Sequence, residues 1–173
     1  MALPCLLTAH TVLDGPTVFD VIAVFDGIAV FDGIAVFDSS PVFAGSAVFD
    51  GCTAFAGSAA FDGSTVFESS AVFDGCTVFD GPTMFAGSAI FDGSAVFDDS
   101  PVLVGSPAYD GATMFDGSTG FDRSAVLDGP TVFDGSEVLD GSTMFSGSAA
   151  FDSTPAFDGR MKCLRRASAI APR

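Results

Sequence analysis

The sequence predicts an all-β chain wound as a parallel β-solenoid, and three observations carry that expectation. A large apolar residue recurs at every sixth position from Leu13 to Phe157, 25 times without a slip. The residues between follow one consensus, F-D-G-S-[AT]-V, with Asp in 19 of the 25 second slots and Gly in 19 of the 25 third slots. The period does not suit a helix. Six residues advance about 600° at 3.6 per turn, so successive large residues would fall about 120° apart and circle every face. Self-similarity at a short fixed period marks a repeat architecture before any local propensity is consulted.

Taken in order, the chain divides into three parts. Residues 1–11, beginning MALPCLLTAH, contain a short apolar stretch without a basic leader, which predicts an N-terminal segment or cap rather than a signal peptide. Residues 12–159 are the solenoid. Within each unit, a stretch such as S-A-V-F alternates sides as a short strand, and D-G supplies a corner in which Gly tolerates positive φ. All 20 Phe occupy the large slot, joined there by Leu13, Leu103, Leu127, Leu139 and Tyr109. Phe and the Ala/Thr slot are expected inside, and Val and Ser outside. Residues 160–173, RMKCLRRASAIAPR, read as a basic disordered tail. Its Arg165-Arg166-Ala167-Ser168 looks like a basophilic kinase site, a four-residue match that chance supplies readily.

Units such as Phe25-Asp26-Gly27-Ile28-Ala29-Val30 and Phe91-Asp92-Gly93-Ser94-Ala95-Val96 resemble the hexapeptide repeat of left-handed parallel β-helices. The resemblance implies three hexapeptides per coil and left-handed winding. It also implies about eight coils and, at about 4.8 Å per coil, a prism about 40 Å long. The chain departs from that family in its large slot, where the family prefers Leu, Ile or Val. A Phe in nearly every such slot is expected to crowd a narrow interior.

A second period runs through the first. TAFAGSAAFDGS at 53, TMFAGSAIFDGS at 83, TMFDGSTGFDRS at 113 and TMFSGSAAFDST at 143 are spaced by 30. Thirty is five hexapeptides and not a whole number of three-unit coils, which points to duplication of a block of DNA.

Composition narrows the partners. Net charge is −16, divided into an acidic body of about −21 and a basic tail of about +5. A body this acidic argues against nucleic acid and anionic membrane surfaces. Asp and Gly interrupt every apolar run well short of the ~18 residues of a membrane helix, so no membrane span is expected. The cysteines Cys5, Cys52, Cys76 and Cys163 form no CxxC or Cys/His cluster, and the compartment stays undefined. Cys52 and Cys76 lie 24 residues apart in the Ser slot, on different sides of an 18-residue coil, and are not expected to pair.

The hexapeptide family includes many acyltransferases, but they rely on a histidine and a loop leaving the coil. The single histidine here, His10, lies outside the clear repeat, and no insertion breaks the 25 units. No catalytic or cofactor-binding residue is assigned, no small-molecule substrate is expected, and the chain reads as a non-enzyme. Columns of Asp, beginning with Asp14, Asp20 and Asp26, would stack at about 4.8 Å and repel by about 0.9 kcal/mol per neighbour even in water. Ca²⁺ is the natural counter-ion for such columns, although no set of metal ligands is defined. The simpler role for those Asp is to favour the turn and keep the polymer soluble.

Outward Val columns are the feature closest to a function, because contiguous exposed apolar surface marks association. The expected role is therefore a structural or self-associating protein that presents regular apolar and acidic columns. Three alternatives stay open at this point. The chain could bind a surface or a cation, or behave as an elastomeric or amyloid-like polymer. Alternatively, it could be an unselected reading frame over an 18-nucleotide tandem repeat, since the neighbouring frames encode ordinary low-complexity sequence. Synonymous differences between units of the coding DNA would argue against the last.

Overall fold

Alternating Ala/Thr, Val and Phe suit a pleated surface with one dry face, and the following Asp-Gly turns the chain. The computed structural model describes residues 5–8, 10–20, 22–152, 155–163 and 168–169, and this grammar runs through the hexapeptide body among them. Strands such as Ala71–Asp74, Thr77–Asp80 and Thr83–Phe85 follow one another at six-residue intervals. Each pairs in parallel with the strand 18 residues on, as in Ala71↔Ala89, Thr77↔Ala95 and Thr83↔Pro101. Three hexapeptides therefore complete one coil. The whole is a parallel β-solenoid of about eight turns with no helix among the described residues. The three sides of the coil are named here for Leu13, Phe19 and Phe25.

Both ends join the stack. Cys5–Thr8, in the expected cap, pairs in register with Ala23–Asp26, which puts Leu7 in the large slot. Arg160–Cys163, in the expected tail, pairs with Ser142–Phe145, and Ser168–Ala169 pairs with the strand Ala149–Phe151. The remainder of the tail, including Arg165, Arg166 and Ala167, lies outside the described residues.

Burial alternates as the strand period requires. From Phe25 to Phe151 every residue in the large slot is at most 5% exposed, and the Ala/Thr slot is buried with it. Leu7, Leu13 and Phe19 in the first coil are only partly buried.

The crowding expected of Phe is relieved by how the rings are arranged. Phe43, Phe49 and Phe55 come from three successive sides with centroids 5.4, 5.7 and 6.3 Å apart and planes 85–90° to one another. The three planes are thus mutually perpendicular, which presents ring edges to neighbouring faces as the aromatic quadrupole favours. Between coils the rings stack instead. On the Phe25 side, eight Phe from Phe25 to Phe151 form an unbroken ladder with centroids 4.7–5.0 Å apart and planes within 11°. That spacing is set by the strands and exceeds van der Waals contact of about 3.5–4.0 Å, so touching rings must slip sideways over one another.

The corners explain the Gly slot. The Gly33 N–H donates to the Asp50 carbonyl one coil on, at 2.8 Å, so the backbone ladder continues around the bend. Gly51, directly above Gly33, has φ +125°, and a Cβ there would run into the Gly33 carbonyl oxygen. Arg123 and Asp99 occupy the same slot and hold φ of 122° and 101° despite their side chains.

Candidate functional site

Because each strand turns alternate residues outward, each side of the solenoid presents three parallel columns: the Ser slot, the Val slot and the Asp slot. Neighbouring columns stand about 6.6 Å apart along the strand, and each repeats about every 4.8 Å along the axis. The outside is therefore a lattice with one apolar line between a hydroxyl line and an acidic line. Val12, Val72, Val78, Ile90, Val102 and Val132 are among the exposed members of the apolar lines.

The acidic lines are long and in register. On the Phe25 side Asp62, Asp80, Asp98, Asp116 and Asp134 pair in succession. On the Phe19 side Asp74, Asp92, Asp110 and Asp128 do the same. On the Leu13 side, Asp14 pairs with Asp32 and Asp32 with Asp50, and later Asp122 with Asp140 and Asp140 with Asp158. Asp20 and Asp26 open the lines of the other two sides, and both are exposed. Such a line offers carboxylates side by side on an open surface, whereas Ca²⁺ wants six to eight converging oxygens. Among the described residues no group of three or more His, Cys, Asp or Glu is placed to hold a metal ion. Asp99, in the Gly slot, accepts a hydrogen bond from the Ser100 hydroxyl at 3.0 Å.

The other residues singled out from the sequence lie apart. His10 is exposed just before the strand Thr11–Asp14. Cys52 and Cys76 are exposed free thiols, on the Phe19 and Phe25 sides respectively. The side chains of Cys5 and Cys163 fall outside the described residues. An open groove of about 520 Å³ lies near the C-terminal end between Ser124, Val126, Ser142, Met144 and Arg160. Among the described residues of its lining, Arg160 is the only charged one.

Two buried polar groups were not singled out from the sequence. Tyr109 takes a large slot, stacks on Phe91 at 4.7 Å and leaves its hydroxyl buried without a partner. Burial holds its phenol well above the usual tyrosine range by desolvation. Glu137 is turned inward, 3% exposed and in register with Thr119. Position alone reveals both: 109 is a large slot, and 137 falls four residues after Phe133, in the Ala/Thr slot.

The described residues contain no helix long and apolar enough to cross a membrane. No protein-family model matches the chain, and no curated protein or solved structure is significantly similar to it.

Proposed function

We propose that this chain is a non-enzymatic structural repeat protein that associates laterally with copies of itself through its outward apolar lines, while its acidic lines limit that association. The coil winds left-handed, as the resemblance to the hexapeptide β-helices implies. The observation that carries this reading is the regularity of the outside: all three sides bear exposed Val, Ile or Met at a fixed spacing, in register with the strands beneath. Isolated exposed apolar residues are ordinary, but a contiguous line along a rigid rod is an association surface.

The magnitudes favour weak, regulated contact. Fully burying a Val side chain contributes about 1.5–3 kcal/mol, and these residues are already partly covered, so about 1 kcal/mol remains for each. A line of about eight offers roughly 8 kcal/mol, comparable to the 4–15 kcal/mol that association costs in lost freedom. Charge repulsion between two bodies of the same sign then decides whether contact holds.

Sedimentation velocity of the full chain over a wide concentration range tests this. The expected result is concentration-dependent association, stronger at high salt, where screening shortens the reach of the acidic lines. A chain that remains a single monomeric species at every concentration and salt level would sink the reading. Replacing Val72, Val78 and Val102 by Thr, one on each side, is expected to weaken association while the β-sheet circular dichroism stays unchanged.

A further inference from the structure

The three sides are not equivalent. In the described part of the Phe25 side the acidic line is broken only at Ala44, and on the Phe19 side at Ala56 and, five coils later, Ser146. Each of these gaps stands alone. The Leu13 side has two consecutive gaps at mid-length, where Ala86 and Val104 stand between Glu68 and Asp122. The same two coils carry Pro82, Met84 and Val102, with Met84 39% and Val102 44% exposed. Val66 continues this surface below, and a shallow groove runs over Val66, Pro82, Met84 and Val102. An uncharged apolar centre ringed by acids has the anatomy of an interface core and its rim.

Resting on the proposed self-association, we infer that the Leu13 side is the seam, and that two copies meet along it in parallel and in register. The register follows from charge. A two-fold axis lying across the side would set acidic line against acidic line, bringing Glu68 to the partner's Asp122 and Asp50 to the partner's Asp140. A two-fold axis along the side instead exchanges left and right, so the Asp line faces the partner's Ser line and the Val line faces itself. Glu68 then meets Ser64, Asp122 meets Ser118 and Asp140 meets Ser136, each carboxylate facing a hydroxyl donor. At the centre, Pro82 and Ala86 face each other across the seam and Met84 faces its own copy. Size supports lengthwise contact. The side is about 13 Å wide and about 40 Å long, hence roughly 1,000 Å² buried in total, at the lower limit for a specific interface. A second copy crossing at an angle would cover only part of that.

Met84, Met114 and Met144 occupy the same slot on the Leu13, Phe25 and Phe19 sides respectively, which makes them matched probes. In the full chain with Cys52 and Cys76 replaced by Ser, and Cys5 and Cys163 by Ala, Met84→Cys is expected to give a disulfide-linked dimer on mild oxidation. Met114→Cys and Met144→Cys are expected to give none. In parallel, Ala86→Asp with Val104→Asp restores the repeat's own residue and should weaken dimerisation by about tenfold or more, because the new carboxylate at 86 faces Pro82, which has no donor to offer it. Ala44→Asp with Ala56→Asp makes the same change on the other two sides and should leave dimerisation unaltered. Equal cross-linking at all three Met positions, or dimerisation indifferent to Ala86→Asp with Val104→Asp, overturns the seam while self-association stands. A cross-link formed only when Met84→Cys is mixed with Val102→Cys overturns the parallel register. Failure of the unmodified chain to associate at all removes both readings.

Discussion

Replacing Phe97 by Ala probes the interior where it is most regular. Phe97 is 1% exposed, stacks on Phe79 at 4.9 Å and on Phe115 at 5.0 Å, and meets Phe85, Phe91 and Tyr109 edge-on at 5.6–6.3 Å. Truncating a buried Phe ordinarily costs about 3–5 kcal/mol in lost transfer energy and residual cavity. Five ring contacts, each contributing about 0.5–1.5 kcal/mol beyond area, place this site at the upper end, about 5 kcal/mol. The hole cannot close by collapse, because the strand spacing is fixed by backbone hydrogen bonds on both sides. Phe97→Leu should cost much less, about 1–2 kcal/mol, since Leu103, Leu127 and Leu139 already fill the same slot and are at most 2% exposed. Urea unfolding followed by circular dichroism measures both, at a concentration low enough that association adds nothing. Because a solenoid is held by nearest-neighbour contacts, the Ala variant should also unfold over a broader range as the stack divides at the defect. A cost below about 1 kcal/mol for Phe97→Ala, or equal costs for Ala and Leu, would refute the packed ring stack.

Other positions test the remaining elements. Tyr109→Phe removes a buried hydroxyl without a partner and should stabilise the chain by about 1–2 kcal/mol in the same unfolding measurement. With the phenol raised by burial, the folded state holds its proton to higher pH than the unfolded chain does. Its contribution to stability is therefore constant below the unfolded value of about 10, and stability falls as pH climbs beyond it. As the chain has one Tyr, tyrosinate absorbance should appear together with loss of β-sheet signal; a normal titration of the intact fold would contradict the burial. Gly51→Ala should cost about 1–3 kcal/mol or more, from positive φ and the oxygen of Gly33 in the path of the new Cβ, and thermal melting reads the loss. Arg123→Gly should raise the melting temperature, because it relieves φ of 122° in a residue with a side chain.

The interior of this fold was written in the sequence because every inward position is chosen by one repeated rule. The slots of Phe97, Ala95 and Gly51 are assigned by counting, and strand period and turn chemistry then dictate which way each points. Ring packing was less accessible. Whether three Phe fit one coil depends on their planes, which no spacing reveals, and the perpendicular arrangement of Phe43, Phe49 and Phe55 resolved the expected crowding. The uneven exterior was hidden for another reason. Ala86 and Val104 look like two scattered departures along the chain, 18 residues apart, and become neighbours only once the register is known. The acidic lines were legible as lines, but their openness to solvent, which sets how a cation would be met, required the coil.

The interchangeability of the three sides has a consequence for how such a chain changes length. Adding or losing six residues anywhere in the body rotates everything beyond it by one side, yet every Phe still points inward and every Gly still turns a corner. A change that is not a multiple of six puts the large residues and the corners out of register. The surface obeys a stricter count: Ala86 and Val104 stay on one side only if what is inserted between them is a multiple of eighteen, and six or twelve would carry them to different sides. The duplicated block of thirty satisfies the interior but shifts the exterior, distributing Met84, Met114 and Met144 over all three sides. Growth by that block lengthens the rod freely, while a one-sided surface depends on which side each departure from the repeat falls.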